Sequence, residues 1–105
     1  MGADTFRQWS QGNSPAQAFL HAVRHAQHMH GHGGYTGTLA EKHDFISIAI
    51  QLDPKAPIED RKKLAEHAAE EMISQGDLRI DNKWGPAGCL DAGDGWYLFF
   101  GWASS

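Results

Sequence analysis

One cysteine, Cys89, stands in a chain of 105 residues. An internal disulfide is thereby excluded, so folding rests on packing, and such usage fits a reducing cytoplasm. Long apolar runs are also missing. The most apolar stretches are "FISIAI" and "WYLFFGW", whereas a bilayer-spanning helix needs about 20 apolar residues. No basic segment followed by an apolar one opens the chain, and no secretory signal is expected. Gly2 follows Met1, but Phe6 occupies the place where an N-myristoylation signal needs Ser or Thr. Basic charge is scarce: nine Lys and Arg against thirteen Asp and Glu, a net charge of −4. A broad nucleic-acid-binding surface would need clustered Lys and Arg and is not expected. The adjacent pair Lys62 and Lys63 sits among acids in "IEDRKKLAEHAAEE" and reads as a solvated helix face. These absences describe a soluble cytoplasmic protein with no membrane partner. Its length predicts one domain over residues 1–105, with residues 1–13 as an N-terminal arm, extended or turned once as a helix.

The pattern that is present alternates helices and strands. Ser14-Pro15-Ala16-Gln17 has the spacing of a capping box and starts a helix that the glycines after His30 end. Ala16, Phe19, Val23 and Ala26, with Leu20 at the edge, predict its apolar stripe. A hairpin is expected next, "YTGTLAE" turning through "KHD" into "FISIAIQL". In the latter Ile46, Ile48, Ile50 and Leu52 share one face, and Phe45, Ser47, Ala49 and Gln51 the other. A second helix over residues 57–75, ended by Gly76, has Leu64, Ala65, Ala68, Met72 and Ile73 for its inner face. Then "DLRI" and "PAGCL" read as short strands, "DAGDG" as a turn and "WYLFFGW" as a strand apolar on both faces. That order predicts an α+β fold, an antiparallel sheet of four to five strands with two helices packed on one face.

Six of the seven histidines fall within residues 21–43. His21, His25 and His28 recur on one helix face with Arg24 beside them, opposite the apolar stripe. Two imidazoles at i and i+4 can share a zinc ion, so His21 and His25 are the candidate metal ligands, although the motif lacks the glutamate of a zinc protease and Arg24 repels a cation. Arg24 with His28 suits an anion better, and the more so below pH ~6.5, where imidazole gains charge.

"GHGGYTGT" follows with four glycines in eight residues. Glycine lets backbone approach a ligand, and successive N–H groups can form an anion-binding nest. Gly33, Gly34 and Gly37 are the candidates, with Thr36 and Thr38 adding hydroxyls and Tyr35 a stacking face. A dinucleotide fingerprint is excluded by order, since here helix precedes strand. A simple helix stop followed by an uncrowded strand explains the same glycines. The run "GYTGTLAEKHDF", with "KWGPAG" and "LFFGWAS", resembles small uncharacterised proteins of bacteriophages and related mobile elements, which share a Gly-aromatic-x-Gly-Thr stretch leading into a strand. The resemblance covers about a third of the chain, in separate blocks. It implies an accessory protein of the bacterial cytoplasm that counters host defence, by capping an immune enzyme or sequestering its nucleotide signal. It implies no catalytic residues.

Four tryptophans exceed what a core of this size needs. Trp84, in the turn-rich "DNKWGPAG", offers a stacking platform or an interface anchor. Cys89 reads as a small strand residue, and Glu41, Lys42, His43 and Asp44 as a solvated turn. Three functions remain open. The first is a homo-oligomeric protein that binds a phosphorylated ligand, a nucleotide, without turning it over, using Arg24, His28, Gly33, Gly34, Tyr35, Thr36, Gly37, Thr38 and Trp84. The second is a protein-binding inhibitor of a host defence enzyme. The third is a histidine-dependent phosphodiester hydrolase, with or without zinc.

Overall fold

The computed structural model describes residues 2–30 and 37–104. In chain order the elements are β1 (Ala3–Gln11), α1 (Pro15–His30), a short 3-10 turn (Leu39–Glu41), β2 (Phe45–Ser47), α2 (Ile58–Gln75), β3 (Ala87–Gly93) and β4 (Trp96–Ser104). The strands form one sheet in the order β1-β4-β3-β2. β4 runs antiparallel to β1 and β3, whereas β2 pairs parallel with β3. The fold is α+β as expected, but the sheet is mixed.

The N-terminal arm is an edge strand, paired with β4 from Ala3 opposite Ser104 to Gln11 opposite Trp96. α1 begins as its sequence directs: Ser14 Oγ accepts the Gln17 N–H at 3.1 Å, and Gln17 Oε1 accepts the Asn13 N–H at 2.6 Å. α2 ends at Gly76 in the left-handed region (φ 67°), with the Gly76 N–H on Ile73 and the Asp77 N–H on Met72. Between β3 and β4 a two-residue turn, Asp94 (φ 56°) and Gly95 (φ 79°), connects paired Gly93 and Trp96. Two successive positive φ angles are what a tight hairpin of this twist demands, hence the Asp-Gly. Arg61 of α2 fastens that hairpin, donating to the Ala92 carbonyl and to Asp94 Oδ2, both at 2.7 Å.

Successive side chains of a strand point to opposite faces, and β4 uses both. Tyr97, Phe99 and Ala103 join Phe6, Ala87 and Cys89 beneath Ala18, Ala22 and Ala26 of α1. Leu98 and Phe100 join Leu90, Ile48 and Ile80 beneath Ala65 and Ala69 of α2. The helices therefore cover opposite faces, in three layers, which corrects the expectation of one face. It also accounts for the aromatic residues on both sides of "WYLFFGW": the strand is central, and the chain itself covers each face. A strand apolar on both faces therefore needs no second copy of the chain to cover it.

Both helices bury a row of alanines against the sheet, with larger residues of the expected faces packed beside it: Phe19 and Val23 on α1, and Met72 and Ile73 on α2. On α1 the buried row is Ala18, Ala22 and Ala26, while Ala16 is exposed and Leu20 remains 47% exposed. On α2, Ala65 and Ala69 are buried and Leu64 is 54% exposed, not inner. Small residues let a helix lie close to a sheet that already carries bulky aromatics.

Of the hairpin expected over residues 35–52, positions 35 and 36 lie outside the described residues, and over residues 37–52 no hairpin forms. Thr38 Oγ1 accepts the Ala40 N–H and caps the 3-10 turn, which buries Leu39 against α1. The alternating run that follows does present Ile46, Ile48 and Ile50 to the α2 layer and leaves Ser47, Ala49 and Gln51 exposed. Its partner is β3, some 40 residues on, with Phe45 opposite Ala87. "DLRI" is a turn and not a strand: the Asp77 carboxylate accepts the Arg79 N–H at 3.0 Å and pairs with its guanidinium. These contacts hold the Asp77 carboxyl at about 2. Ile80 then enters the core. Among the described residues no helix is long and apolar enough to cross a membrane.

Candidate functional site

Where the chain leaves the 3-10 turn for β2, it faces the loop that leads into β3. Between them lies an open cleft of 240 Å³ lined by Glu41, His43, Asp44, Trp84, Gly85 and Pro86. The loop is built firmly. Asn82 turns it, its Oδ1 accepting the Trp84 N–H and its carbonyl the Gly85 N–H, both at 2.9 Å. Lys42 then reaches under the loop from the opposite wall. Its Nζ donates to the Lys83 carbonyl at 2.9 Å and to the Gly85 carbonyl at 2.8 Å. The two walls also share a backbone bond, Ala87 N–H to the Asp44 carbonyl at 3.1 Å.

Lys42 is only 4% exposed. Burial pushes its pKa below the ordinary lysine value, and neighbouring Glu41 opposes that shift. The ammonium thus acts as a buried peg, and the indole above it is held out into solvent: Trp84 is 62% exposed, with Lys83 Nζ 5.3 Å from its ring centre. Glu41 is likewise anchored, accepting the Gly37 N–H at 2.7 Å and the Ser104 hydroxyl. The cleft offers a flat aromatic face, two carboxylates that accept hydrogen bonds and one imidazole that can donate or accept.

The expected site residues separate into groups. Trp84 forms a wall of the cleft. Gly37 and Thr38 are committed to the framework: the Gly37 N–H is bonded to Glu41 and to the Ser104 carbonyl (2.7 Å), and Thr38 caps the 3-10 turn. Arg24, His25 and His28 lie exposed on α1. His21, also exposed, donates from Nδ1 to the Gln11 carbonyl at 3.1 Å. Gly33, Gly34, Tyr35 and Thr36 lie outside the described residues. Among the described residues, no three His, Cys, Asp or Glu side chains are grouped so as to hold a metal ion. Cys89 sits as a small buried strand residue, as expected: burial, with Asp91 nearby, pushes its thiol up to about 12, and a buried, protonated thiol is a poor nucleophile.

Glu41, Lys42, His43 and Asp44 were readable only as a polar turn, and they supply one whole wall and the peg beneath the other. The available signal was a cluster of four ionisable residues in a row, matched by a second polar turn at "DNKWGP". Two further clefts, of 280 and 250 Å³, lie along β2 and the segment after it. The first is lined mainly by Ile48, Ala49, Cys89 and Tyr97, and neither presents an exposed aromatic face. No protein-family model, curated protein sequence or solved structure matches the chain.

Proposed function

We propose that this domain binds a nucleotide and releases it unaltered, the base stacking on Trp84. The observation that carries the reading is the exposed indole on a loop pegged from below by Lys42. An exposed tryptophan on a rigid support loses little conformational freedom on binding, and base stacking contributes about 1–3 kcal/mol. Asp44, exposed at the cleft, is the carboxylate suited to accept a hydrogen bond from an exocyclic amine or a ring N–H of the base, since both oxygens of Glu41 already hold Gly37 and Ser104. The same carboxylates repel phosphate. The phosphate therefore belongs outside the cleft, with Arg24 and His28, both exposed on α1, as its candidate partners together with Gly33, Gly34, Tyr35 and Thr36, which lie outside the described residues. A homo-oligomer fits this reading, since a second copy set over so open a cleft would deepen it. Sequestration of a nucleotide immune signal in a bacterial cytoplasm, as an accessory protein of a phage would perform it, is the biological form of this proposal. A hydrolase is less well supported: His21 and His25 are two ligands where catalytic zinc takes three from the protein.

A second reading, a protein-binding inhibitor, is favoured by one observation. Leu78 is 91% exposed, and Trp84 and Met29 also stand out from the surface, the kind of side chain that anchors interfaces.

The test is thermal unfolding of tag-free wild type and Trp84→Ala with nucleosides and with mono-, di- and cyclic nucleotides, followed by chromatography of the recovered ligand. A wild-type shift that Trp84→Ala abolishes, with ligand intact, supports sequestration. Altered ligand makes the protein an enzyme, and the absence of any shift transfers the argument to a protein partner.

A further inference from the structure

Away from the Trp84 cleft, two more tryptophans meet at the seam between β1, β4 and α2. Trp9 and Trp96 stand edge to face, their ring centres 6.4 Å apart and their planes at 82°. Into the corner between them α2 projects Lys62, whose Nζ lies 3.4 Å from the Trp96 ring centre and 5.4 Å from that of Trp9. One turn further along the helix, Glu66 Oε1 accepts the Trp9 indole N–H at 3.0 Å and fixes that ring. Both rings and Lys62 are partly exposed, so the corner opens to solvent. The ion pairs among the described residues do not include Lys62. Its charge is met by the faces of the rings.

Two perpendicular aromatic walls with a carboxylate at the rim form the arrangement that recognises alkylammonium groups, because the ring faces are negative and the carboxylate adds a long-range attraction. We infer that Trp9 and Trp96 form a cage for a quaternary alkylammonium cation, which Lys62 occupies as an intramolecular plug. A primary ammonium is compact and strongly hydrated, so it loses much of its solvation against a ring. A quaternary ammonium is weakly hydrated and presents methyl groups to both walls. The cage is therefore better matched to the methylated cation than to its own plug. Lys62 holds it closed by proximity, since a tethered group competes at an effective concentration on the order of millimolar. This inference goes beyond the reading of the Trp84 cleft and does not depend on it.

The experiment is a titration of wild type and Lys62→Ala with tetramethylammonium chloride against sodium chloride of equal ionic strength, following the indole N–H resonances of all four tryptophans. Circular dichroism checks the fold, and Lys62→Gln, which keeps an aliphatic stem on Trp96, replaces the alanine variant should that one unfold. Lys62→Ala is expected to bind about tenfold or more tightly than wild type, with the Trp9 and Trp96 resonances moving and Trp84 still. Adding Trp96→Leu should abolish that binding, and adding Trp84→Ala should leave it intact. A folded plug-free variant that ignores the cation overturns the inference. So does equal binding by wild type, or binding that survives Trp96→Leu.

Discussion

Replacing Lys42 by methionine separates the roles of the peg and of the indole it supports. Methionine keeps the length and the apolar stem, so the space beneath the loop stays filled, and only the ammonium is lost. Its two bonds, 2.9 Å to the Lys83 carbonyl and 2.8 Å to the Gly85 carbonyl, have no replacement donor. A buried acceptor left unpaired costs about 1–3 kcal/mol. Lys83 and Gly85 are themselves half-buried, so water can reach part of that deficit, and the desolvation that depresses the Lys42 pKa is relieved at the same time. The net loss should be about 1–3 kcal/mol. At roughly 4–8 °C per kcal/mol for a domain near this size, Tm should fall by several degrees or more. Urea unfolding measures the stability, and native-state hydrogen exchange locates it: the Trp84 and Gly85 amides, both bonded to Asn82, should exchange faster, while amides in the middle of β4 follow the global change only. Nucleotide affinity should fall with the loosened loop.

The pH dependence supplies a sign. Burial lowers the folded pKa of Lys42, whereas in the unfolded chain it lies near its ordinary value of about 10.4. Within that window the unfolded state binds more protons, so stability rises with pH. The advantage of wild type over Lys42→Met is therefore largest above the unfolded pKa and declines as pH falls through the folded one. Equal stability together with unchanged exchange at Trp84 and Gly85 would refute the peg. A wild-type advantage that shrinks as pH rises would refute the claim that burial dominates the ammonium.

Two further outcomes test the layers that carry this site. A methyl group at Gly88 would meet the Phe100 ring at 2.6 Å and Ile80 Cγ2 at 2.9 Å, so Gly88→Ala should destabilise by about 1–3 kcal/mol. Phe100→Leu should cost less in that background than alone, and a Gly88→Ala protein as stable as wild type would show that Phe100 has room to move. Cys89, buried and with its thiol up near 12, should resist aromatic disulfide reagents in native buffer and react at a rate that follows unfolding as urea is added. Rapid labelling of the native protein would contradict the burial that removes it as a nucleophile.

The sequence showed local features of this fold and concealed those that depend on distant partners. The Ser14 cap, the Gly76 stop and the Asp94-Gly95 turn each lie within a few residues, so their chemistry could be read directly. The period of "FISIAIQL" was equally readable and the alternation holds, yet periodicity carries no information about the partner strand. A hairpin is the nearest solution along the chain, whereas the actual neighbour is β3, in parallel. The helix faces were legible in the same local way: Phe19, Val23 and Ala26 of α1 and Ala65, Ala68, Met72 and Ile73 of α2 lie in or against the core, whereas Ala16 and Leu64 are exposed. Less legible were Ala18 and Ala22 on α1 and Ala69 on α2, fully buried where the helices come close to the aromatic side chains of the sheet.

The site was legible to the extent that one residue can announce itself. Trp84 stood out because a tryptophan between Lys83 and Gly85-Pro86 has no core to enter. Its surroundings did not, because each is an ordinary polar residue until the fold joins residues 41–44 to residues 82–86. Lys42 is the sharpest instance. Beside Glu41 and His43 it reads as one more solvated charge, and nothing local indicates that its ammonium lies beneath a loop 40 residues away. The Trp9, Lys62 and Trp96 corner has the same origin. It draws one residue from each of three separate elements, and only their packing creates a place for a cation. Clusters in the sequence, such as the histidines of α1, mark composition; in the structure it is the unclustered residues that converge.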